Sequence, residues 1–258
     1  MKIALFYKEN KIEPSYIENL VKRLKHEGFV LDNTNPEVVL YVGGDGTFLR
    51  AVHQYIDMID DIEFVGLKKG HLGFFSSYNE DEIDRLLADL KSNNVDSKSY
   101  RLVKATFADS VLYAVNEIRI ESPFQTLISE VEINGSKLET FRGNGLTVSS
   151  SLGSSAYNRS LGGAIVSTNL EVLQLTEIAP INNRVFRSLH SPLVLDSDSE
   201  IVLKPKTKNV LVGYDHLIKE DENSQVIRFE LSNKKVSILR KKDFDYAAHL
   251  NKTFIEEE

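Results

Sequence analysis

The sequence contains no cysteine in its 258 residues, and this absence excludes disulfide bonds, thiolate metal sites and cysteine nucleophiles. Its six histidines are scattered without the His-Glu-x-x-His spacing, so a built-in zinc site is not expected. No apolar run approaches the ~20 residues of a membrane-spanning helix. The start of the chain, residues 1–8, is too short and too quickly charged for a signal peptide, and we therefore expect a cytoplasmic location.

The formal net charge of −7 argues against a general surface for nucleic acid or for anionic membranes. A local basic pocket for a phosphorylated small molecule is compatible with this charge. With 41% hydrophobic and 27% charged residues, the chain has enough apolar material for one large or two modest domains. We therefore expect small-molecule ligands, and neither nucleic acid nor membrane as a partner.

The first 95 residues alternate between strand and helix patterns, which predicts a Rossmann-like α/β domain with a parallel sheet covered on both faces. The predicted elements are a strand at 2–7, a helix at 14–28, strands at 29–31 and 38–42, a helix at 47–59, a strand at 62–67 and a helix at 79–91. Such sheets bind ligands beyond the carboxyl ends of their strands. The loops after strands 38–42 and 62–67 are therefore candidate binding loops.

The first of these loops, residues 43–47, reads Gly-Gly-Asp-Gly-Thr. Glycine allows positive φ and a close approach to a ligand, and Thr47 is predicted to cap the following helix, whose N-terminus attracts phosphate. A carboxylate such as Asp45 is unexpected there unless it handles a proton or binds a metal. The loop is neither a dinucleotide fingerprint, because Leu49 occupies the third glycine position, nor a P-loop. A plain connecting turn is the alternative.

The second loop, residues 68–75, contains two lysines, two glycines and two phenylalanines. It could provide positive charge and an aromatic wall at the same edge of the sheet. The alternative is a solvated lysine pair beside a packed phenylalanine pair.

The composition changes near residues 92–97, where we place the boundary between a first domain, 1–95, and a second domain, 96–243. Many short strands with turn residues between them predict a C-terminal β-sandwich, with Asn134-Gly135 as its clearest hairpin turn. The predicted strands are 100–107, 111–120, 128–133, 137–141, 145–149, 201–203, 210–214, 226–231 and 236–239. A last helix at 244–254 is expected to dock, within segment 244–258, on the first domain.

Two stretches of the second half carry candidate binding residues. Asn116 and Glu117 interrupt strand 111–120 with an amide and a carboxylate, which suit the hydroxyl and amino groups of a ligand, although a strand-end turn is the alternative. Residues 149–163 concentrate hydroxyls and small residues around Tyr157, which suits a sugar and a phosphate. A flexible linker is the alternative there, but the apolar residues 164–166 argue against it.

These motifs resemble those of the bacterial NAD kinases, also called ATP-NAD kinases, over nearly the whole chain. The Gly-Gly-Asp-Gly-Thr turn alone is shared with diacylglycerol kinases, sphingosine kinases and phosphofructokinase-like enzymes, but its combination with Asn116-Glu117 and the serine-rich loop points to NAD kinases. The segments that carry the resemblance, in the family's order, are 43–47, 70–74, 116–117, 149–158, 160–163, 174–184 and 215–216.

The resemblance implies transfer of the γ-phosphoryl group of ATP, or of inorganic polyphosphate, to the 2′-hydroxyl of the adenosine ribose of NAD, with Mg²⁺ or another divalent cation bound to the nucleotide. No metal ligand from the protein is expected. The resemblance also implies an active site between the two domains, completed across a homotetramer that is a dimer of dimers. The choices between ATP and polyphosphate, and between NAD and NADH, stay open.

On this resemblance Asp45 is the catalytic residue, which contacts the acceptor hydroxyl as a base, and Gly44 and Gly46 shape the phosphate-binding turn. An unperturbed aspartate has a pKa near ~3.9 and is a weak base, so Asp45 is expected mainly to align the hydroxyl and to accept its proton late. The other expected ligand-binding residues are Phe74, Asn116, Glu117, Arg142, Asn144, Ser155, Ala156, Tyr157, Asn158, Ser160, Ala179 and His216.

Within that set, residues 116–117 are expected to bind the adenosine part of the dinucleotide and Tyr157 to stack on the ligand. Arg142, Ala179 and His216 are expected to come from a neighbouring subunit. The chain departs from the family's usual pattern at Asn144, where an aspartate is usual, and at Leu152, which replaces a hydroxyl. These departures are expected to affect affinity or dinucleotide preference, since the catalytic motifs are intact.

Two other functions are alternatives to NAD kinase. A non-catalytic NAD(P)-binding regulator would bind the dinucleotide without transferring phosphate. A lipid kinase of the diacylglycerol kinase type would need an apolar acceptor groove or a basic membrane-facing helix, and neither is evident in the sequence.

Overall fold

The computed structural model describes residues 1–69, 73–221 and 225–256, which form two compact units. The first unit comprises Met1–Ser99 and Val236–Glu258, and the second comprises Tyr100–Lys235. These divisions differ from the predicted boundaries at 95/96 and 243/244. Both observed divisions fall inside continuous strands, residues 95–106 and 227–241, whereas the predicted boundary at 95/96 rested on a change of composition.

The helices and strands are numbered here in chain order. They are β1 (Lys2–Tyr7), α1 (Pro14–His26), β2 (Val30–Leu31), β3 (Val38–Val42), α2 (Asp45–Gln54), β4 (Glu63–Lys68), β5 (Tyr78–Asn79), α3 (Ile83–Lys91), β6 (Val95–Thr106), β7 (Val111–Ala114), β8 (Glu117–Glu121), β9 (Leu127–Ile133), β10 (Ser136–Gly143), β11 (Gly145–Ser150), α4 (Tyr157–Ser160), β12 (Leu173–Ile178), β13 (Leu193–Leu195), β14 (Ile201–Pro205), β15 (Val210–Tyr214), β16 (Leu217–Asp221), β17 (Ile227–Lys241) and α5 (Tyr246–Phe254). None of the helices in the described ranges is long and apolar enough to cross a membrane.

The first unit contains the predicted parallel sheet, in the order β2, β1, β3, β4, with the end of β17 added in parallel beside β4. Every residue of β3 is buried because the sheet is covered on both faces. Apolar residues of α1 and α3, such as Leu20 and Leu86, cover one face, while Phe48 of α2 packs on Tyr41 on the other. The carboxyl ends of β1, β3 and β4 meet at one edge, which positions the glycine turn after β3.

The second unit is the predicted β-sandwich. One sheet contains β10, β9, β14 and β17 in that order, together with β6 and β7, and the other has the order β13, β12, β11, β8, β15, β16. Residues from both sheets share one core, in which Phe141 and Phe229 lie with Ile118 and Leu146. Asn134 and Gly135 have positive φ and connect β9 to β10, as expected for the hairpin turn.

The local predictions were wrong or incomplete at several positions. Helix α2 begins at Asp45 with Gly44 as its N-cap, so Thr47 lies inside the first turn and is not the cap. The predicted strands 226–231 and 236–239 form the single strand β17, because the polar residues between them lie within the continuing strand. Strand β12 was not predicted, although the alternation of Leu173 and Leu175 with polar residues was an available signal.

Replacement of Phe229 by alanine should destabilise the second unit strongly. Phe229 is fully buried, and the loss of a buried phenylalanine typically costs about 3–5 kcal/mol. Phe124→Ala is a matched control, because Phe124 is 99% exposed and its loss should change stability by less than about 0.5 kcal/mol. Denaturant unfolding of both variants measures this, and equal midpoints would contradict the placement of the core.

Candidate active site

The glycine turn after β3 presents Asp45 at the N-terminus of α2. Gly43 has a positive φ of 142°, as predicted from the glycines of this turn, whereas the φ of Gly44 is negative, at −95°. The carboxylate of Asp45 accepts hydrogen bonds from the N–H groups of Phe74 (3.0 Å) and Phe75 (3.1 Å). The two predicted binding loops therefore meet at this carboxylate.

Gly73 makes this approach possible. A Cβ atom at residue 73 would lie 2.9 Å from Oδ1 of Asp45, closer than real Cβ contacts allow. The other residues of the predicted loop motif, Gly70, His71 and Leu72, lie outside the described residues.

Burial raises the pKa of the Asp45 carboxyl above its ordinary value, and the two N–H donors of residues 74 and 75 oppose this rise. The expectation of an unperturbed pKa was therefore wrong, because it ignored desolvation. A higher pKa makes Asp45 a better proton acceptor than a free aspartate, while the two hydrogen bonds hold its orientation.

Positive charge lies beside the turn. Lys8 directly follows β1, whose Tyr7 pairs in parallel with Val42, and its Nζ lies 3.9 Å from the position of a Cβ at Gly46. Burial lowers the pKa of Lys8, and the charges of Arg50 and Lys11 lower it further. A helix N-terminus attracts anions through its dipole and its outward-facing N–H groups, so this edge combines a helix N-terminus with cations, an arrangement that suits phosphate. Sequence reasoning missed Lys8, although the meeting of parallel strand ends was an available signal.

The ring of Phe74 is buried, with 5% of its surface exposed. It packs against Phe75 and against three rings of α5, those of Tyr246, His249 and Phe254. Phe74 thus contributes its backbone N–H to Asp45, and a ligand contact of its ring stays a prediction.

In the second unit, Asn116 and Glu117 lie at the break between β7 and β8. The carboxylate of Asp215 accepts hydrogen bonds from the N–H groups of Val115 and Asn116, both at 2.8 Å, and thereby fixes the break. Oδ1 of Asn116 and Oε2 of Glu117 are buried and have no hydrogen-bond partner among the described residues. Since buried polar atoms are normally paired, these acceptors suit donor groups of a ligand.

Asp215 was recognised only as part of a motif, and its role in holding residues 115 and 116 was not predicted. It lies in the turn after β15 with a positive φ of 48°, and its N–H donates to the carbonyl of Glu117 (3.1 Å). His216, the expected ligand-binding residue of this motif, follows it in the same turn. His216 therefore lies at the Asn116 end of the unit.

Burial raises the pKa of Glu117 to about 8, and the nearby Asp215 carboxylate adds to the rise. The guanidinium of Arg119, whose Nη1 lies 3.8 Å from Oε1 of Glu117, opposes it. At pH 7 the Glu117 carboxyl of the ligand-free protein is therefore mostly protonated. In that state it offers a ligand one O–H donor as well as acceptor oxygens.

The polar face of the six-stranded sheet extends this site. Thr147 and Ser149 of β11 lie opposite Arg119 and Glu117 of β8, and the hydroxyl oxygens of Thr147 and Ser149 are buried without a described hydrogen-bond partner. Ile118 and Val148, which alternate with these polar residues along the two strands, point to the opposite face and lie in the core. Sequence reasoning did not single out Thr147 and Arg119, although the alternation of polar and apolar residues over 117–121 and 146–149 was an available signal.

The serine-rich loop lies against the Asn116 break. A Cβ at Gly153 would overlap the carbonyl oxygen of Asn116, so the loop approaches this closely only with glycine there. The guanidinium of Arg119 lies 5.1 Å from the centre of the Tyr157 ring. Ser155 and Ala156 are partly exposed and Ser160 is exposed.

Two residues of this loop have structural roles. Asn158 is fully buried: its Oδ1 accepts a hydrogen bond from Thr176 (2.6 Å) and its Nδ2 donates to the carbonyl of Ser154 (3.2 Å). Its amide is therefore used by the fold, and a ligand contact of Asn158 stays a prediction. Leu152, the departure from the family pattern, has only 1% of its surface exposed and belongs to the buried interior.

Arg142, Asn144 and Ala179 form a separate group at the opposite end of β11. The N–H of Asn144 donates to the carbonyl of Ile178 (2.9 Å), and the guanidinium of Arg142 lies 4.3 Å from the centre of the Phe186 ring. The four-residue step along β11 from 145 to 149 spans ~13 Å. Within one chain, the second unit therefore does not bring this group to Glu117.

In residues 1–69, 73–221 and 225–256, no three or more histidine, aspartate or glutamate side chains are grouped to hold a metal ion.

Known proteins similar to this chain identify its family. Residues 2–95 match the ATP-NAD kinase N-terminal domain, and residues 115–241 match the ATP-NAD kinase C-terminal domain. The NAD kinase of Leuconostoc citreum is 38% identical over 100% of this chain and 99% of its own length, and NAD kinase 1 of Bacillus cereus is 36% identical over 99% of both.

Solved structures agree in fold. A crystal structure of an NAD kinase from Archaeoglobus fulgidus in complex with ATP has a TM-score of 0.81 at 21% identity and covers 98% of this chain and 99% of that one. Yeast NADH kinase complexed with NADH has a TM-score of 0.82 at 20% identity and covers 100% and 89%. The two domain matches and the full-length relatives show that this chain belongs to the ATP-NAD kinase family.

Proposed function

We propose that this NAD kinase transfers the γ-phosphoryl group of ATP to the 2′-hydroxyl of the adenosine ribose of NAD, which yields NADP. The observation that carries the proposal is the combination, at the N-terminus of α2, of the oriented Asp45 carboxylate with the neighbouring Lys8 ammonium group, an arrangement that suits phosphate. The family relationship supports NAD as the acceptor, and the ATP complex of the solved relative supports ATP as the donor.

Phosphoryl transfer depends mainly on positioning and electrostatics, because its transition state is loose. In the proposed reaction the ribose 2′-oxygen forms a bond to the γ-phosphorus as the bond between that phosphorus and the bridging oxygen of ADP breaks. The carboxylate of Asp45 aligns the hydroxyl and accepts its proton. The α2 N-terminus and Lys8 bind the donor phosphates, and Mg²⁺ enters as part of the nucleotide substrate.

The buried acceptor atoms of Asn116 and Glu117, which have no partner among the described residues, are proposed to bind the adenosine part of NAD. Oδ1 of Asn116 suits the amino group of adenine, which can only donate there, and the Glu117 carboxyl suits a ribose hydroxyl. Tyr157, Ser155 and Ala156 are proposed to contact the same dinucleotide. The homotetramer, the contribution of Arg142 and Ala179 from a neighbouring subunit, and the cytoplasmic location stay predictions.

The direct experiment is an assay of NADP formation by the purified protein with NAD, Mg²⁺ and ATP, and in a parallel reaction with polyphosphate. The proposal expects NADP with ATP. If product forms with polyphosphate but not with ATP, polyphosphate is the donor. If product forms only when NADH is supplied in place of NAD, NADH is the acceptor. Binding of NAD without any product would indicate a non-catalytic regulator.

Asp45→Asn should lower turnover by about 10²–10⁴-fold, as losses of a general base typically do, while NAD binding is kept. The asparagine is of similar size but cannot accept the proton. Initial rates together with NAD binding by calorimetry measure this. Asp61→Asn, at an exposed position in the same unit, is the control and should behave as wild type. Near-normal turnover of Asp45→Asn would contradict the proposed role.

Lys8→Met should raise KM for ATP by about tenfold or more, because a hydrogen bond to a charged group is worth about 1.5–3 kcal/mol. KM for NAD should change much less. Steady-state kinetics with each substrate varied in turn measure the difference, and Lys22→Met, on the exposed face of α1, is the control. Equal effects on both KM values would show that Lys8 does not act on the donor.

Glu117→Gln should change how the stability of the ligand-free protein depends on pH. The folded-state pKa of Glu117 is about 8 against an ordinary 4.5, so the folded protein binds the extra proton between these values, and stability falls as pH rises through this window. Glutamine stays neutral, so the variant should gain stability over wild type from pH 5 to pH 8, by at most about 1.4 kcal/mol per pH unit.

Thermal or denaturant unfolding at several pH values without NAD tests this prediction. Glu220→Gln, at an exposed position of β16, should leave the pH dependence of wild type unchanged. Parallel stability curves for wild type and Glu117→Gln would contradict the raised pKa.

A further inference from the structure

The peptide group between Phe74 and Phe75 is held on both sides. Its N–H donates to Oδ1 of Asp45 at 3.1 Å, and its carbonyl oxygen lies 2.9 Å from Nε2 of His249. A carbonyl oxygen only accepts hydrogen bonds, so Nε2 of His249 carries the proton and donates. Because the peptide group is planar and rigid, His249 and Asp45 hold opposite edges of the same peptide plane.

Helix α5 fixes the orientation of the His249 ring. The carboxylate of Asp245 caps this helix by accepting hydrogen bonds from the N–H groups of residues 247 and 248. The ring of His249 packs between Phe74, at 5.3 Å between ring centres, and Phe244, at 5.1 Å. Packing between two aromatic rings does not require a hydrogen-bond donor. The hydrogen bond from His249 to the loop that holds Asp45 therefore needs a separate explanation.

The charges around His249 do not make this contact a pH switch. Burial lowers the pKa of His249, the hydrogen bond to Phe74 opposes that effect, and the positive charges of Arg240, Lys252 and Lys68 lower the pKa further. The ring is therefore neutral at pH 7. A protonated ring also carries a proton on Nε2, so the hydrogen bond persists in both states.

We propose that His249 is a positioning residue for phosphoryl transfer, which orients and polarises the 74–75 peptide so that its N–H holds the Asp45 carboxylate in place. The inference rests on the proposed role of Asp45. Hydrogen bonds in a chain strengthen one another, so donation to the carbonyl makes the N–H on the other side a better donor to the carboxylate. His249 therefore acts on the reaction through the peptide, without touching substrate.

His249→Leu and His249→Gln separate this role from packing. Leucine removes the donor, whereas the glutamine amide can donate to the same carbonyl. The leucine variant should lose about 5- to 30-fold in kcat with little change in KM for NAD or ATP, as expected for one lost hydrogen bond. The acid limb of its kcat/KM profile should move to higher pH, because the ionised form of Asp45 loses support. The glutamine variant should recover most of kcat and the wild-type limb.

Phe254→Leu is the matched packing control, since it alters the contact of α5 with the Phe74 ring but leaves His249 in place. It should lower the unfolding temperature without moving the acid limb. Equal kcat and pH profiles for leucine, glutamine and wild type would overturn the inference, as would a limb shift in Phe254→Leu equal to that of His249→Leu. Asp45→Asn is assayed alongside: normal turnover there would refute the proposed function, whereas an inactive Asp45→Asn with unaffected His249 variants would refute only the role of His249.

Discussion

In each of the two units, the candidate binding groups depend on an aspartate whose carboxylate accepts hydrogen bonds from two successive backbone N–H groups of a loop distant in sequence. Asp45 binds residues 74 and 75, and Asp215 binds residues 115 and 116. A carboxylate withdrawn from water needs such donors, and loop N–H groups outside a helix or sheet need such acceptors. The pairing satisfies both demands at once and fixes two loops that regular secondary structure would leave free.

The positions of these polar groups also depend on close packing against the two loops. A side chain at Gly73 would collide with the carboxylate of Asp45, and one at Gly153 would collide with the carbonyl of Asn116. Each glycine therefore permits an approach that brings chemically active groups together. The buried acceptor of Asn116, left without a partner in the described residues, is the reverse of good packing. Such local costs are typical of binding sites, where the ligand supplies the missing partner.

Desolvation raises the pKa of a carboxyl group in both units, but with different consequences. At Asp45 two N–H donors oppose the effect, so the group keeps a fixed orientation while becoming a better base. At Glu117 a second carboxylate, that of Asp215, reinforces the effect, so the group is mostly neutral at pH 7 before a ligand binds. Desolvation thus suits the Asp45 carboxyl to proton transfer and the Glu117 carboxyl to hydrogen bonding.

The sequence alone determined the fold class, the glycine turn with Asp45 and the family, because strand and helix periodicity and short motifs are local properties of the chain. It missed Lys8, the roles of Asp215 and His249, and the structural use of Asn158, because each depends on a contact between residues far apart in sequence. It also placed the pKa of Asp45 at its unperturbed value. Burial decides that value, and burial exists only once the sheet, the loops and the helices have packed together.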